Sequence, residues 1–240
     1  MLVFKRFVLL VVVFAVLPVF VMGQTRPGFS PGNQEMTVEQ SYLQESVELM
    51  IIREQSRAES RDMKMVALEY ISEAIERGNR NDEIRAALEF LSLEGVVNIT
   101  RENGRVVNNF PDVRTRAATY LGALGTPEAT NTLIKMVSAD NEPMVLTEAI
   151  KSLGKIGIDE HNEATNVISW TVNRFNNLNP DNLLALSAIE AFEQLAAAND
   201  GSLNYSAIQT LVRIADGQYI RPVQERARAA LKDLRNINGQ

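Results

Sequence analysis

The strongest constraint on this chain is a spacing that recurs along it: an alanine, an apolar residue four positions on, and another three further. It occurs at Ala67/Ile71/Ala74, Ala117/Leu121/Leu124, Ala149/Leu153/Ile156, Ala188/Phe192/Leu195 and Ala227/Leu231/Leu234. Positions i, i+4 and i+7 share one face of an α-helix, so each set is a single apolar stripe. The small leading residue lets a neighbouring helix come close. Successive alanines lie 50, 32, 39 and 39 residues apart. Periods of this size belong to architectures that stack one supersecondary unit on the next.

Between the stripes lie segments with helical spacing of their own, roughly Asp82–Leu93, Pro127–Ala139, Asn162–Asn176 and Leu203–Asp216. Two of them share an opening. Glu128-Ala129-Thr130-Asn131 returns as Glu163-Ala164-Thr165-Asn166, after which Leu133 aligns with Ile168 and Val137 with Val172. The fourth segment is expected to continue that inner register with Ile208 and Val212. The unit is therefore helix–turn–helix. A hydrophobic share of 45% is enough to build a core, and the absence of cysteine leaves packing, not disulfides, to hold it.

The 50-residue interval holds an insertion over residues 96–109. There Asn103-Gly104 sits between β-branched residues, which predicts a small β-hairpin, because a two-residue type I′ turn needs positive φ at both central positions. A long irregular loop is the other reading. A hairpin alone is marginal in water, so this one is expected to lean on the helices or on a partner. Upstream, residues 36–59 read as an acidic helix with Val38, Leu43, Val47, Met50, Ile51 and Ile52 as its apolar face. Thr37 and Gln40 form a capping-box pair at its start. The helix is expected to cap the first repeat, or else to bind a partner.

Several runs resemble HEAT repeats of the short bacterial, phycobilisome-lyase-like type. They are Pro111-Asp112-Val113-Arg114 with Ala117-Ala118 and Leu121-Gly122-Ala123-Leu124-Gly125, then Pro127-Glu128-Ala129. Pro143, Ala149 and Leu153-Gly154-Lys155-Ile156-Gly157 form a second match, with weaker ones after Pro180 and Pro222. The resemblance implies an all-α fold over residues 60–237: a right-handed α-solenoid of about five HEAT-like helix pairs with one small β-hairpin insertion. Tetratricopeptide repeats are disfavoured, since their Trp-Leu-Gly-Tyr pattern is missing.

Residues 1–23 differ from the rest. Lys5 and Arg6 precede an apolar run from Phe7 to Met22, and Val21 and Gly23 stand three and one residues before Gln24. This is the layout of a secretory signal peptide. Sixteen residues from Phe7 to Met22 fall short of the roughly 20 that a spanning helix needs. Residues 24–35, with Pro27-Gly28 and Pro31-Gly32, read as a flexible tether. The expected location is outside the cytoplasm, most simply the periplasm, with membrane contact only if the leader stays attached.

No catalytic set emerges. There is no cysteine, a single histidine (His161, beside Asp159 and Glu160 in a turn), and no phosphate-binding glycine loop. Asp140, Glu142, Asp159 and Glu160 suit helix N-termini. No cofactor and no metal are expected. Nucleic acid is not an expected partner, because the net charge of −6 opposes a phosphate backbone. A HEAT-like lyase or glycosylase is the enzymatic alternative, which the leader and the acidity oppose. The expected role is a protein-binding or scaffold module that engages an envelope protein or assembly. The second helices would offer a ridge of Asn131/Lys135, Asn166/Trp170/Arg174 and Ser206/Thr210, with Arg213 near it. Solenoids bind through such extended surfaces. Trp170, the lone tryptophan, is either a protein-binding anchor there or packed between repeats. Arg114 and Arg116 are candidates for bridging neighbouring repeats.

Overall fold

A computed structural model describes residues 37–238. The leader at 1–23 and the tether at 24–35 lie outside the described residues. Among the described residues, ten helices follow one another: α1 (Val38–Arg57), α2 (Arg61–Glu76), α3 (Asp82–Ser92), α4 (Pro111–Leu124), α5 (Pro127–Ala139), α6 (Pro143–Ile156), α7 (Glu163–Leu178), α8 (Asn182–Ala198), α9 (Tyr205–Asp216) and α10 (Arg221–Asn238). They form two parallel rows. The even-numbered helices, which carry the five alanine stripes, pack α2 on α4 on α6 on α8 on α10, and the odd-numbered ones pack α1 on α3 on α5 on α7 on α9. The chain is thus an α-solenoid of five helix pairs. Its core runs between the rows and holds the stripe alanines Ala67, Ala117, Ala149, Ala188 and Ala227, all fully buried.

Glycines allow the closest approach in the even row. A Cβ on Gly122 would stand 2.8 Å from Cβ of Ser152, and one on Gly154 would stand 2.7 Å from Cα of Ala191. The backbones of α4, α6 and α8 can therefore meet only because these positions have no side chain. The Ser152 hydroxyl uses the proximity, donating to the Ala118 carbonyl at 2.9 Å. Three residues on, Gly125 and Gly157 end α4 and α6 in the left-handed region, at φ of 67° and 76°, the conformation that favours glycine at a helix C-terminus. The repeated Leu-Gly-x-x-Gly thus has two jobs in one turn.

The insertion is a hairpin. β1 (Arg101–Glu102) pairs antiparallel with β2 (Arg105–Val106), and Asn103 and Gly104 turn at φ of 49° and 79°. Its strands are only two residues long, so the ladder alone cannot hold it. The anchor is Asn108, whose amide donates to the Asn98 carbonyl at 2.7 Å and accepts from the Thr100 amide at 2.9 Å.

Two expected faces are corrected. On α1, Val38, Leu43, Val47 and Met50 are exposed, and the inward side is Leu49, Ile52 and Ser56, with the Glu48 carboxylate taken by Arg77, the residue just after α2. Thr37 does close the expected capping box with Gln40, at 3.2 and 3.1 Å. On α9, Ile208 and Val212 are 37% and 45% exposed, while Ala207, Leu211 and Ala215 point inward. The small residue at 207, equivalent to Ala129 and Ala164, sets the true register. Ile208 and Val212 instead occupy the side that a following helix would cover.

Tyr219, between α9 and α10, is buried, and burial, aided by the Asp181 charge, pushes its phenol up to about 12. Raising an acid's folded pKa stabilises the protonated form. That contribution is complete below the free phenol's value near 10 and is lost as pH climbs toward 12. An absorbance titration of tyrosinate should show a late step that Tyr219→Phe lacks. Separately, Gly154→Ala should lower stability by about 1–3 kcal/mol, since backbone must move to admit the methyl; urea unfolding followed by circular dichroism measures it.

Candidate protein-binding surface

The outward surface of the odd row begins from its inward one. With Ile84, Ala129, Ala164 and Ala207 as equivalent inner positions, the residues six further on are Phe90, Lys135, Trp170 and Arg213. One residue from each of α3, α5, α7 and α9 therefore falls on one line along the outer face, alternating aromatic and cationic. Lys135, Trp170 and Arg213 are exposed and Phe90 is half-buried. Trp170 lies 52% exposed, so of the two readings for it, surface rather than inter-repeat core is the one found.

Trp170 is held rather than loose. Arg174, one turn on, lays its guanidinium 4.7 Å from the indole centre and 5.3 Å from the Phe175 ring. The same guanidinium donates to the Asp140 carbonyl at 3.1 Å. Its stem is partly buried and its position fixed by the α5–α6 junction, so one face of the indole is covered and the rest open. An equivalent pairing occurs two repeats earlier, where Arg57 sits 6.0 Å and Lys64 5.5 Å from the Phe90 ring centre.

Behind the Arg174 contact is a buried polar chain. The Arg114 guanidinium donates to Asp140 at 2.6 and 3.3 Å, to the Glu94 carbonyl at 3.2 Å and to the Asn109 side chain at 2.8 Å. Glu94 in turn pairs with Lys64 at 2.8 Å, and Lys64 also donates to the Ser56 carbonyl at 3.1 Å. Arg114 thus joins neighbouring repeats as expected. Arg116 comes only to 4.0 Å from Glu69. Asp140 is buried in this chain, and it caps nothing further than the next two amides, Asn141 and Glu142. Asp159 does serve a helix N-terminus, accepting from the Ala164 amide at 2.9 Å.

The remaining expected ridge residues divide. Asn131 is exposed at the mouth of a cleft of about 250 Å³ that also includes Asp159, Glu160 and His161. Asn166 is exposed, but its carbonyl oxygen accepts from Asn204 at 2.8 Å and from Ser206 at 2.9 Å, tying α7 to α9. Thr210 is fully buried and accepts from Asn173 at 3.3 Å, so Ser206 and Thr210 line the α7–α9 contact rather than the ridge. The register that places Arg213 on the line puts Gln209 beside it. Phe90 was missed by the sequence reading; counting outward from the buried residue of each second helix would have found it.

Among the described residues, no group of three His, Asp or Glu side chains could hold a metal ion, and no helix is long and apolar enough to cross a membrane. Another cleft, of about 580 Å³, lies where Phe90 and Glu94 meet the hairpin residues Ile99 and Val107.

Cutting the buried chain should be costly. Arg114→Leu leaves Asp140 charged and unpaired and should remove about 3–5 kcal/mol. Denaturant midpoints measure this, and a loss under about 1 kcal/mol would place the pair among those of no consequence.

No curated protein matches the chain. Over residues 105–169, from the second hairpin strand into α7, the chain matches the family model described as HEAT repeats.

Proposed function

We propose that the protein is an exported, non-enzymatic scaffold that binds another protein at the cell envelope through the outer ridge of its odd-numbered helices. The observation that carries this reading is Trp170, half-exposed and braced by Arg174 on the same line as Lys135 and Arg213. Trp and Arg are enriched among the residues that carry binding energy at protein interfaces, and here they stand together, with the guanidinium holding the indole in place. Solenoids of stacked helix pairs are built to present such a line. Cations spaced along it favour a partner segment that carries carboxylates. Export rests on the leader pattern, with Lys5 and Arg6 ahead of Phe7–Met22 and small residues before Gln24.

The test is recovery of partners from envelope extract by the native chain and by Trp170→Ala/Arg174→Ala. If each residue acts as an anchor worth about 2 kcal/mol, the double variant binds about 1,000-fold more weakly where the two add and about 30-fold where they act as one unit, and its bands disappear. Equal recovery by both forms removes the ridge. Sequencing the N-terminus of the cellular protein tests export: a start at Gln24 supports a cleaved leader.

A further inference from the structure

In a row of stacked helices, each helix turns one side to its predecessor and the other to its successor. The interior of this solenoid identifies those sides. On the even helices the position five after the stripe alanine meets the next helix, as Gly122 and Gly154 do, and the position three after it meets the previous one, as Ser152 and Ala191 do. At the two ends the same positions have no neighbour among the described residues, and they carry unlike chemistry.

At the N-terminal end, the unpartnered side of α2 holds Val66, Tyr70 and Glu73. With Leu43, Val47 and Ile51 of α1 it borders an open groove of about 410 Å³. At the C-terminal end, the unpartnered side of α9 is Tyr205, Ile208 and Val212, an exposed apolar strip. Beside it, the positions of α10 equivalent to Ala118, Gly122 and Gly125 are Arg228, Lys232 and Arg235, all exposed. The net charges follow suit. α1 and α2 together carry eight acidic against four basic side chains, and α9 and α10 carry three acidic against six basic. The molecule is anionic at one end and cationic at the other, with apolar surface at both.

We infer that the two ends are complementary and that one copy docks its α9–α10 face onto the α1–α2 face of a second copy, carrying both helix rows across the junction. The partner is another copy of this chain because the two ends match: apolar strip against apolar groove, and Lys232 and its neighbours against Glu73, which within its own chain stands 3.7 Å from Arg77. Such a contact is head-to-tail, so it extends to further copies or closes into a ring. Its ionic part weakens as salt screens exposed charges.

The experiment uses the protein in the form the cell retains, followed by analytical ultracentrifugation from micromolar to near-millimolar concentration. Leu43→Asp/Val47→Asp blocks one end and Ile208→Asp/Val212→Asp the other. All four positions are solvent-facing, so unchanged circular dichroism is expected. The native chain should gain mass with concentration, and each blocked variant alone should stay monomeric. An equal mixture of the two should form a species of twice the monomer mass that grows no further, since each retains one working end. Glu73→Lys should weaken association and Lys232→Glu in the second copy should restore it. A native chain that stays monomeric throughout overturns the inference. So does a variant that still self-associates with one end blocked, which would mean like ends pair.

Discussion

Much of this solenoid's geometry depends on two buried cations at one position of the repeat. Lys64 and Arg114 each stand three residues before a stripe alanine, and each is 1% exposed. Removing such a charge from water costs several kcal/mol unless its partners are well placed. Here they are: Glu94 and the Ser56 carbonyl for Lys64, and Asp140, Asn109 and the Glu94 carbonyl for Arg114. Glu94 belongs to both sets, through its carboxylate and its backbone. The cations therefore fix the one place where the repeat is interrupted. In α6, α8 and α10 the same position is Leu146, Ala185 and Gln224. At this position of those helices no buried ion pair takes part, and the close packing of the row sets the register. Across the insertion, a directional pair sets it instead.

The same chain joins the core to the outer ridge. Asp140 holds Arg114 with its carboxylate and Arg174 with its carbonyl, and Arg174 lies over Trp170. A surface aromatic is thereby positioned by a charge buried two helices away. Smaller ties repeat along the even row. Arg61 binds Asp112 across α2 and α4; burial pushes that carboxyl up, but the guanidinium prevails and holds it below the usual carboxylate range. Arg226 of α10 makes another such bridge, at different positions of the repeat, to Glu193 of α8. The first pair is exposed and the second half-exposed, and such pairs contribute little individually.

Most of the fold was legible because it is periodic. The five alanine stripes located the even helices, and Pro127–Ala139 was read to the residue. Asn103-Gly104 gave the hairpin because few other dipeptides accept positive φ twice. What failed was the orientation of the end helices. An apolar residue in a terminal repeat need not face inward, because the side a neighbour would normally cover can be open. Ile208 and Val212 on α9, and Leu43 and Val47 on α1, were placed inside on hydrophobicity alone. The small residue at 207 was the better guide, since close approach of helices demands it. The ion-pair chain was only half legible: Arg114 could be suspected of bridging, but its contact with Glu94 depends on how the insertion folds back.

The repeat also determines what the proposed partner segment must look like. Neighbouring helices in a packed row lie about 8–10 Å apart, so the line from Phe90 to Arg213 crosses three such intervals, roughly 25–30 Å. An extended strand covers that length in about eight or nine residues, with every third residue or so meeting a ridge position. An α-helix laid across the row would need roughly 17–20 residues. An extended segment has the further advantage that its side chains reach both the cationic positions, Lys135 and Arg213, and the aromatic ones between and beside them. The core fixes the spacing of these contacts, because any change in the distance between odd-numbered helices must also move the buried alanines and leucines beneath them. The identities on the line are free of that constraint, which is why binding chemistry can be written there without disturbing the fold.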